Sequence, residues 1–238
     1  LTTGKIMDSY ATGNIVGTAG SGGLAGTTTG AIDSSYATGN VSGHAGRGGL
    51  AGTSTGTVNL SYATGNVSGH AGSGGVAGTT TGAISSSYAT GSVTGAAGTG
   101  GLAGTTTGNI TTSYAIGNVN GAAGGTGSLA GTSTGNINNS YATGTTNGGG
   151  LAGTLTGINN GSYAVSAGDT IVFDNFKTSG AWTLIHGQPV LTSLIKTFTI
   201  TANNVTQTYN GLSFSGGNGV SYSNPYQSYL TGTLSYRG

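Results

Sequence analysis

From Leu24 to Tyr36 the chain alternates. Even positions read Leu24, Gly26, Thr28, Gly30, Ile32, Ser34 and Tyr36; odd positions read Ala25, Thr27, Thr29, Ala31, Asp33 and Ser35. A period of two marks a β-strand with one buried face. The even set carries the large apolar residues and is expected to face inward. The same alternation returns from Leu50, Val76, Leu102, Leu129 and Leu151. In the last copy Leu155 stands where the others have Thr28, Ser54, Thr80, Thr106 and Ser133, which suits an inward position. A stretch reading TGNV, or a variant of it, then predicts a third short strand ending at Val41, Val67, Val93 and Val119.

The pattern is periodic. Tyr10, Tyr36, Tyr62, Tyr88, Tyr114, Tyr141 and Tyr163 follow one another at spacings of 26, 26, 26, 26, 27 and 22 residues. Each apolar landmark precedes the next tyrosine by 12 residues, whereas the tyrosine-to-landmark stretch varies from 14 to 15 and 10 after Tyr36. Length varies only around GHAGRGG and its equivalents, so that half contains a loop and the other half is scaffold whose register must hold. A 26-residue unit of short strands cannot bury its own apolar face and must stack on copies of itself. Glycine every few residues costs a helix about 1 kcal/mol each relative to alanine, and no 3.6-residue stripe is present. The expected fold is all-β: a right-handed parallel β-solenoid of about six coils, with a cap and a partial β domain after it. Its length is on the order of 30 Å.

The tyrosines admit two orientations. If Tyr36 keeps the phase of Ile32, the rings stack inside. If the phase slips at a corner, Ser35, Ala37, Gly39 and Val41 turn inward and the tyrosines form an outer stripe. The inward arrangement is expected, because without the rings the core holds little beyond one Leu, one Ile and one Val per coil, and each buried ring removes a large apolar area from water.

The boundaries follow from where the repeat decays. Residues 1–162 are expected to form the solenoid and 163–196 a terminal coil and cap containing Trp182 and Pro189. Residues 197–238 read as the start of a further β domain, truncated at about 40 residues, with turn signals at YNG and GGNG.

Composition narrows the function. Only Lys5, Arg47, Lys177, Lys196, Arg237, Asp8, Asp33, Asp169 and Asp174 are charged, 4% of the chain against roughly 25% in ordinary domains. A net charge of +1 without a basic cluster gives no footprint for nucleic acid. No apolar run approaches the roughly 20 residues of a membrane-spanning helix. The chain has no cysteine, hence no disulfide framework and no thiol chemistry. Four aspartates and no glutamate leave little for a glycosidase carboxylate pair. GxGxxG-like strings follow from the 52 glycines and precede no helix. No enzymatic activity, cofactor or metal is expected. His44 and His70 occupy equivalent positions about 5 Å apart, but no third ligand shares their column, and they are expected to be solvated loop residues, as is His186 in the cap. Asp8 and Asp33 are not equivalent in the repeat, so a calcium ladder is not expected; Asp169 and Asp174 are expected to cap a turn.

The text GGLAGTTTGAIDSSYATGNVSG resembles the GLUG repeat of large bacterial exoproteins, in which a Gly-Gly-Leu-x-Gly core precedes I-x-x-S-Y-A-T-G-x-V. The likeness covers residues 1–165 and recurs six times. AWTLIHGQPVLTSLIKT is similar to the segment that closes such arrays. ITANNVTQTYNG is similar to the opening of the MBG or YDG domain, with Asn210 where that motif has Asp. The resemblance implies a filamentous-haemagglutinin-like adhesin exported by two-partner secretion to the cell surface of a Gram-negative bacterium. The partners it implies are an outer-membrane secretion protein and, as ligands, host-cell or bacterial surface glycans or biofilm polysaccharide.

Two sets of residues stand out as candidate faces. Thr27, Thr29, Thr53, Thr55, Thr79, Thr81, Thr105, Thr107, Thr132, Thr134, Thr154 and Thr156 repeat a T-x-T in six coils, and their phase points them outward. Such an array also resembles the ice-binding face of solenoid antifreeze proteins, the alternative to adhesion. Tyr222, Tyr226 and Tyr229 are candidates for stacking on sugars or for the core of the incomplete domain.

Overall fold

The structure is a computed structural model that describes residues 1–122, 124–165, 180–185, 188–195, 200–202 and 220–222. The chain divides into two compact units, Leu1–Leu194 and Ile195–Gly238. In the second, Ile200–Ala202 pairs antiparallel with Val220–Tyr222. The remainder of the expected MBG-like domain, with Tyr226 and Tyr229, lies outside the described residues, as do His186, Asp169 and Asp174.

The first unit contains an all-β parallel solenoid of about six coils. The coils build four main parallel sheets, named here S1 to S4, of which S4 stops before the last coils. S1 stacks Ala25–Thr28, Ala51–Ser54, Ala77–Thr80, Ala103–Thr106, Ala130–Ser133 and Ala152–Leu155. S2 begins at Ile6–Met7 and continues through Ile32–Asp33 to Asn159–Asn160. S3 is the Tyr-Ala sheet from Tyr10–Ala11 to Tyr163–Ala164, and S4 runs from Ile15–Gly17 to Val119–Asn120. The register pairs like with like: Tyr62 with Tyr36 and Tyr88, Ala77 with Ala51 and Ala103. Among the described residues no helix is long and apolar enough to cross a membrane.

The core is thin. Leu50, Val76, Leu102 and Leu129 from the S1 entry, Ile32, Val58, Ile84, Ile110 and Ile137 from S2, and alanines from S1 and S3 form one buried column. Ala51 belongs to it and Ala25 is buried as well, contrary to the outward orientation expected for the odd positions; Ser35 is buried too. At the S1 entry the carbonyl of Leu50 accepts from the N–H groups of both Leu24 and Ala25, at 2.9 and 3.1 Å. This local bend turns two successive side chains inward.

The tyrosines face outward, overturning the expected inward ladder. The phase slips at one residue per coil. Asp8, Ser34, Leu60, Ser86, Thr112 and Asn139 adopt φ between 45 and 49°. One left-handed residue turns the chain through a corner, after which Ser35 and Ala37 point in and Tyr36 points out. Space explains the choice. A Cβ at Gly49 would lie 2.8 Å from the Ala63 Cβ across the coil, and one at Gly75 2.5 Å from that of Ala89. The two walls meet at glycine and alanine, leaving no volume for a ring.

The corner also explains the second serine of SSY. Ser61 Oγ donates to the Asn59 carbonyl at 2.7 Å and accepts the Ser35 N–H at 3.1 Å. Ser87, Ser113 and Ser140 repeat both bonds. Each buried hydroxyl thus ties its own turn and satisfies an N–H of the preceding coil.

Candidate functional site

The outward residues of S3 and the turn after it form three ladders. Tyr36, Thr38 and Asn40 alternate with the buried Ala37, Gly39 and Val41. The next coil repeats them as Tyr62, Thr64 and Asn66. The asparagines are tied into the stack: Asn14 Oδ1 accepts the Asn40 N–H at 2.8 Å and Asn40 Oδ1 accepts the Asn66 N–H at 2.8 Å. Their carbonyl ends hold the coils in register, while the side chains remain exposed. The T-x-T pattern does not mark this face; its signature in the sequence is the period-two string Y-x-T-x-N following the corner.

The tyrosine rings stack face to face from Tyr10 to Tyr141. Centroids lie 4.8 to 5.3 Å apart, with planes within 10°. In this arrangement each ring covers its neighbour's face, so the ladder offers edges to its surroundings. A sugar ring stacks on an aromatic face, so the interior rungs provide no such platform.

Part of the ladder is covered. Trp182–Ile185 and Gln188–Leu191 form an antiparallel hairpin, followed by a short 3-10 turn, Thr192–Leu194. Trp182 lies 5.3 Å from the Tyr141 ring and 6.0 Å from Tyr114, tilted by 58° and 57°. Leu191 joins the same buried cluster, with Ala181, Leu194 and Tyr88 packed at its margin. The Tyr141 hydroxyl donates to the Pro189 carbonyl. Exposure follows: 65% at Tyr10, 7% at Tyr114 and 1% at Tyr141, with Tyr36 and Tyr62 half-buried. Burial raises the phenol pKa of Tyr114 to about 12 and pushes Tyr88 and Tyr141 higher still, with the neighbouring Tyr114 adding to the effect on both.

The threonine columns run in register, Thr53 with Thr27 and Thr79. They are not equivalent. Thr29, Thr55, Thr81, Thr107, Thr134 and Thr156 are exposed, but they lie beyond the end of each S1 strand. Thr27, Thr53, Thr79, Thr105 and Thr132 are half-buried, and only Thr154 of that column is exposed. The variable loop crosses in front of S1 and covers them: a Cβ at Gly98 would lie 3.4 Å from Thr105 Oγ1. Glycines fill S1 beneath this loop because nothing larger fits. A Cβ at Gly78 would lie 2.5 Å from the Gly46 carbonyl carbon.

The loop also buries Arg47. Its Nε donates to the His44 carbonyl at 3.0 Å, and Nη2 donates to those of Gly17 and Thr18 at 2.7 and 2.8 Å. Ser73, Thr99 and Thr126 occupy the same place in later coils and bond the carbonyls of His70, Ala96 and Ala122. Arg47 therefore acts as an extended version of a structural hydroxyl. His44 and His70 are exposed and stack with centroids 5.4 Å apart and planes 10° apart. Imidazole lone pairs lie in the ring plane, so parallel stacked rings do not converge on an ion between them. Among the described residues no group of three or more His, Cys, Asp or Glu is placed to hold a metal. Asp33 is engaged by Lys5 Nζ at 3.2 Å and Asn59 Nδ2 at 3.0 Å.

No protein-family model matches the chain, and neither a curated protein nor a solved structure is similar to it.

Proposed function

We propose that this chain is a rod segment of a large exported adhesin, presenting uncharged outward ladders to surface glycans or biofilm polysaccharide. The observation carrying this reading is the exposed Thr-Asn face beside the tyrosine ladder. Its hydroxyl and amide groups repeat together in the first three coils, as Thr12 and Asn14, Thr38 and Asn40, and Thr64 and Asn66, set at the strand spacing of about 4.8 Å; Ser92, Ile116 and Thr145 interrupt the pair further along. Uncharged donors and acceptors on a rigid support suit a polyhydroxylated ligand, whereas the near absence of charge offers little to a polyanion. The GLUG resemblance adds export by two-partner secretion and a location at the surface of a Gram-negative cell. The mechanism is mechanical: strand ladders and buried serine corners hold the rod, which sets binding modules at a distance from the cell.

The test is attachment of the purified chain to a glycan array and to bacterial and host cells. A paired variant, Thr38→Val with Asn66→Ser, is expected to weaken attachment while leaving the strand content unchanged. Unchanged binding, or none to any glycan or cell, would count against the proposal. A second reading rests on the column Thr29 to Thr156, which is exposed in all six coils; thermal hysteresis would identify it as an ice-binding face.

A further inference from the structure

We propose that the less buried rungs of the tyrosine ladder, Tyr10, Tyr36 and Tyr62, are a site of oxidative dityrosine cross-linking between successive coils. Three observations carry this. The rings are parallel, and the register repeats them at one per coil: Tyr10 and Tyr36 are 5.3 Å apart and Tyr36 and Tyr62 4.9 Å apart, with planes within 10°. Ring carbons ortho to the two hydroxyls therefore face one another at about the centroid separation. The edges of these rings reach the surface, whereas Tyr114 and Tyr141 lie under the Trp182 hairpin. Finally, the chain has no cysteine, so these phenols are the groups through which neighbouring coils can be joined covalently by oxidation.

The chemistry needs a one-electron oxidant, such as a haem peroxidase with hydrogen peroxide. Each phenol gives up one electron and one proton. The two phenoxyl radicals join through a carbon–carbon bond between their ortho positions. The displaced ring hydrogens then move to the oxygens and restore both phenols. Two electrons and two protons leave the pair, and one peroxide is reduced to two waters. The proton must pass to solvent as the electron leaves, which favours rungs whose hydroxyls reach water. At Tyr141 the hydroxyl is directed at the Pro189 carbonyl, a poor proton acceptor. Bond formation requires one pair of ring edges to tilt together. The product would be a chain of staples along the rod, each linking residues 26 apart and resisting separation of coils under load.

The experiment is photo-oxidation of the full chain with a ruthenium trisbipyridyl complex and persulfate, followed by proteolysis and mass mapping of linked peptides. The expected products are Tyr10–Tyr36 and Tyr36–Tyr62 links within one chain, each lighter by two hydrogens than its separate peptides. Their yield should not change on dilution, and they should vanish in Tyr36→Phe, which keeps the stack but removes the central phenol. Links formed only between chains would overturn the proposal. So would a Tyr114–Tyr141 product in equal yield, or the same linked pairs at the same yield from urea-unfolded chain.

Discussion

Replacing Ser87 by alanine tests whether the corner serines hold successive coils together. Ser87 Oγ donates to the Ser85 carbonyl at 2.7 Å and accepts the Ser61 N–H at 3.2 Å. Both serines are fully buried. The substitution removes the first bond and leaves the Ser61 N–H without an acceptor and out of reach of water. A net hydrogen bond is worth about 1 kcal/mol and an orphaned buried donor costs about 1–3 kcal/mol, giving about 2–4 kcal/mol in total. Amide hydrogen exchange followed by mass spectrometry locates the loss. Peptides covering Ser61 and Tyr88 should exchange about 30- to 700-fold faster if they open locally, since about 1.4 kcal/mol corresponds to a factor of ten. The control is Ser85→Ala. Its hydroxyl bonds Asn59 Oδ1 at 2.9 Å on the half-buried outer side, where water can replace it, and the expected cost is below about 1 kcal/mol. Equal effects from the two substitutions, or none at Ser87, would refute the serine corner as a coupling element and leave strand pairing to account for the stack.

Other expectations follow from the same contacts. Trp182→Ala should free the hairpin from the ladder at a cost of about 3–5 kcal/mol to the docked segment, read as faster exchange at Tyr114 and Tyr141. Gly78→Ala should disrupt the loop over S1, because its Cβ meets backbone atoms of Gly46, Arg47 and Gly52. Gly150→Ala, with nothing within 4 Å, should leave the melting temperature unchanged. Arg47→Leu should strip donors from three carbonyls and destabilise the first two coils by about 3 kcal/mol, seen in thermal unfolding. Alkaline titration should loosen the hairpin. Burial raises the pKa values of the Tyr88, Tyr114 and Tyr141 phenols, so at these positions the unfolded chain loses protons first above about pH 10. Stability is therefore full below pH 10 and falls between about 10 and 12, followed by Trp182 fluorescence; a flat profile to pH 12 would contradict the burial of Tyr114.

Sequence alone determined the architecture because a repeat has a single economical solution. Copies at a fixed offset, alternating with period two and rich in glycine, can bury their apolar positions only against one another. That logic placed Leu50, Ile84 and the in-register threonines without any knowledge of long-range packing. It could not orient the tyrosines. Alternation predicts side-chain direction only while the backbone stays extended, and a single left-handed residue at Ser34 or its equivalents reverses the phase of everything after it. Of the residues found at that corner only Asp8 and Asn139 favour a positive φ, whereas Ser34, Leu60, Ser86 and Thr112 do not announce one. Nor could local pattern show that the loop after His44 folds back over S1, half-covering one threonine column and burying Arg47, because that contact depends on how two walls of one coil meet. The Trp182 hairpin is the same kind of case. Its residues read as a cap, but its seat on the edges of Tyr114 and Tyr141 exists only once those rings point outward, a result fixed by the glycine and alanine contacts across a core too thin to hold them.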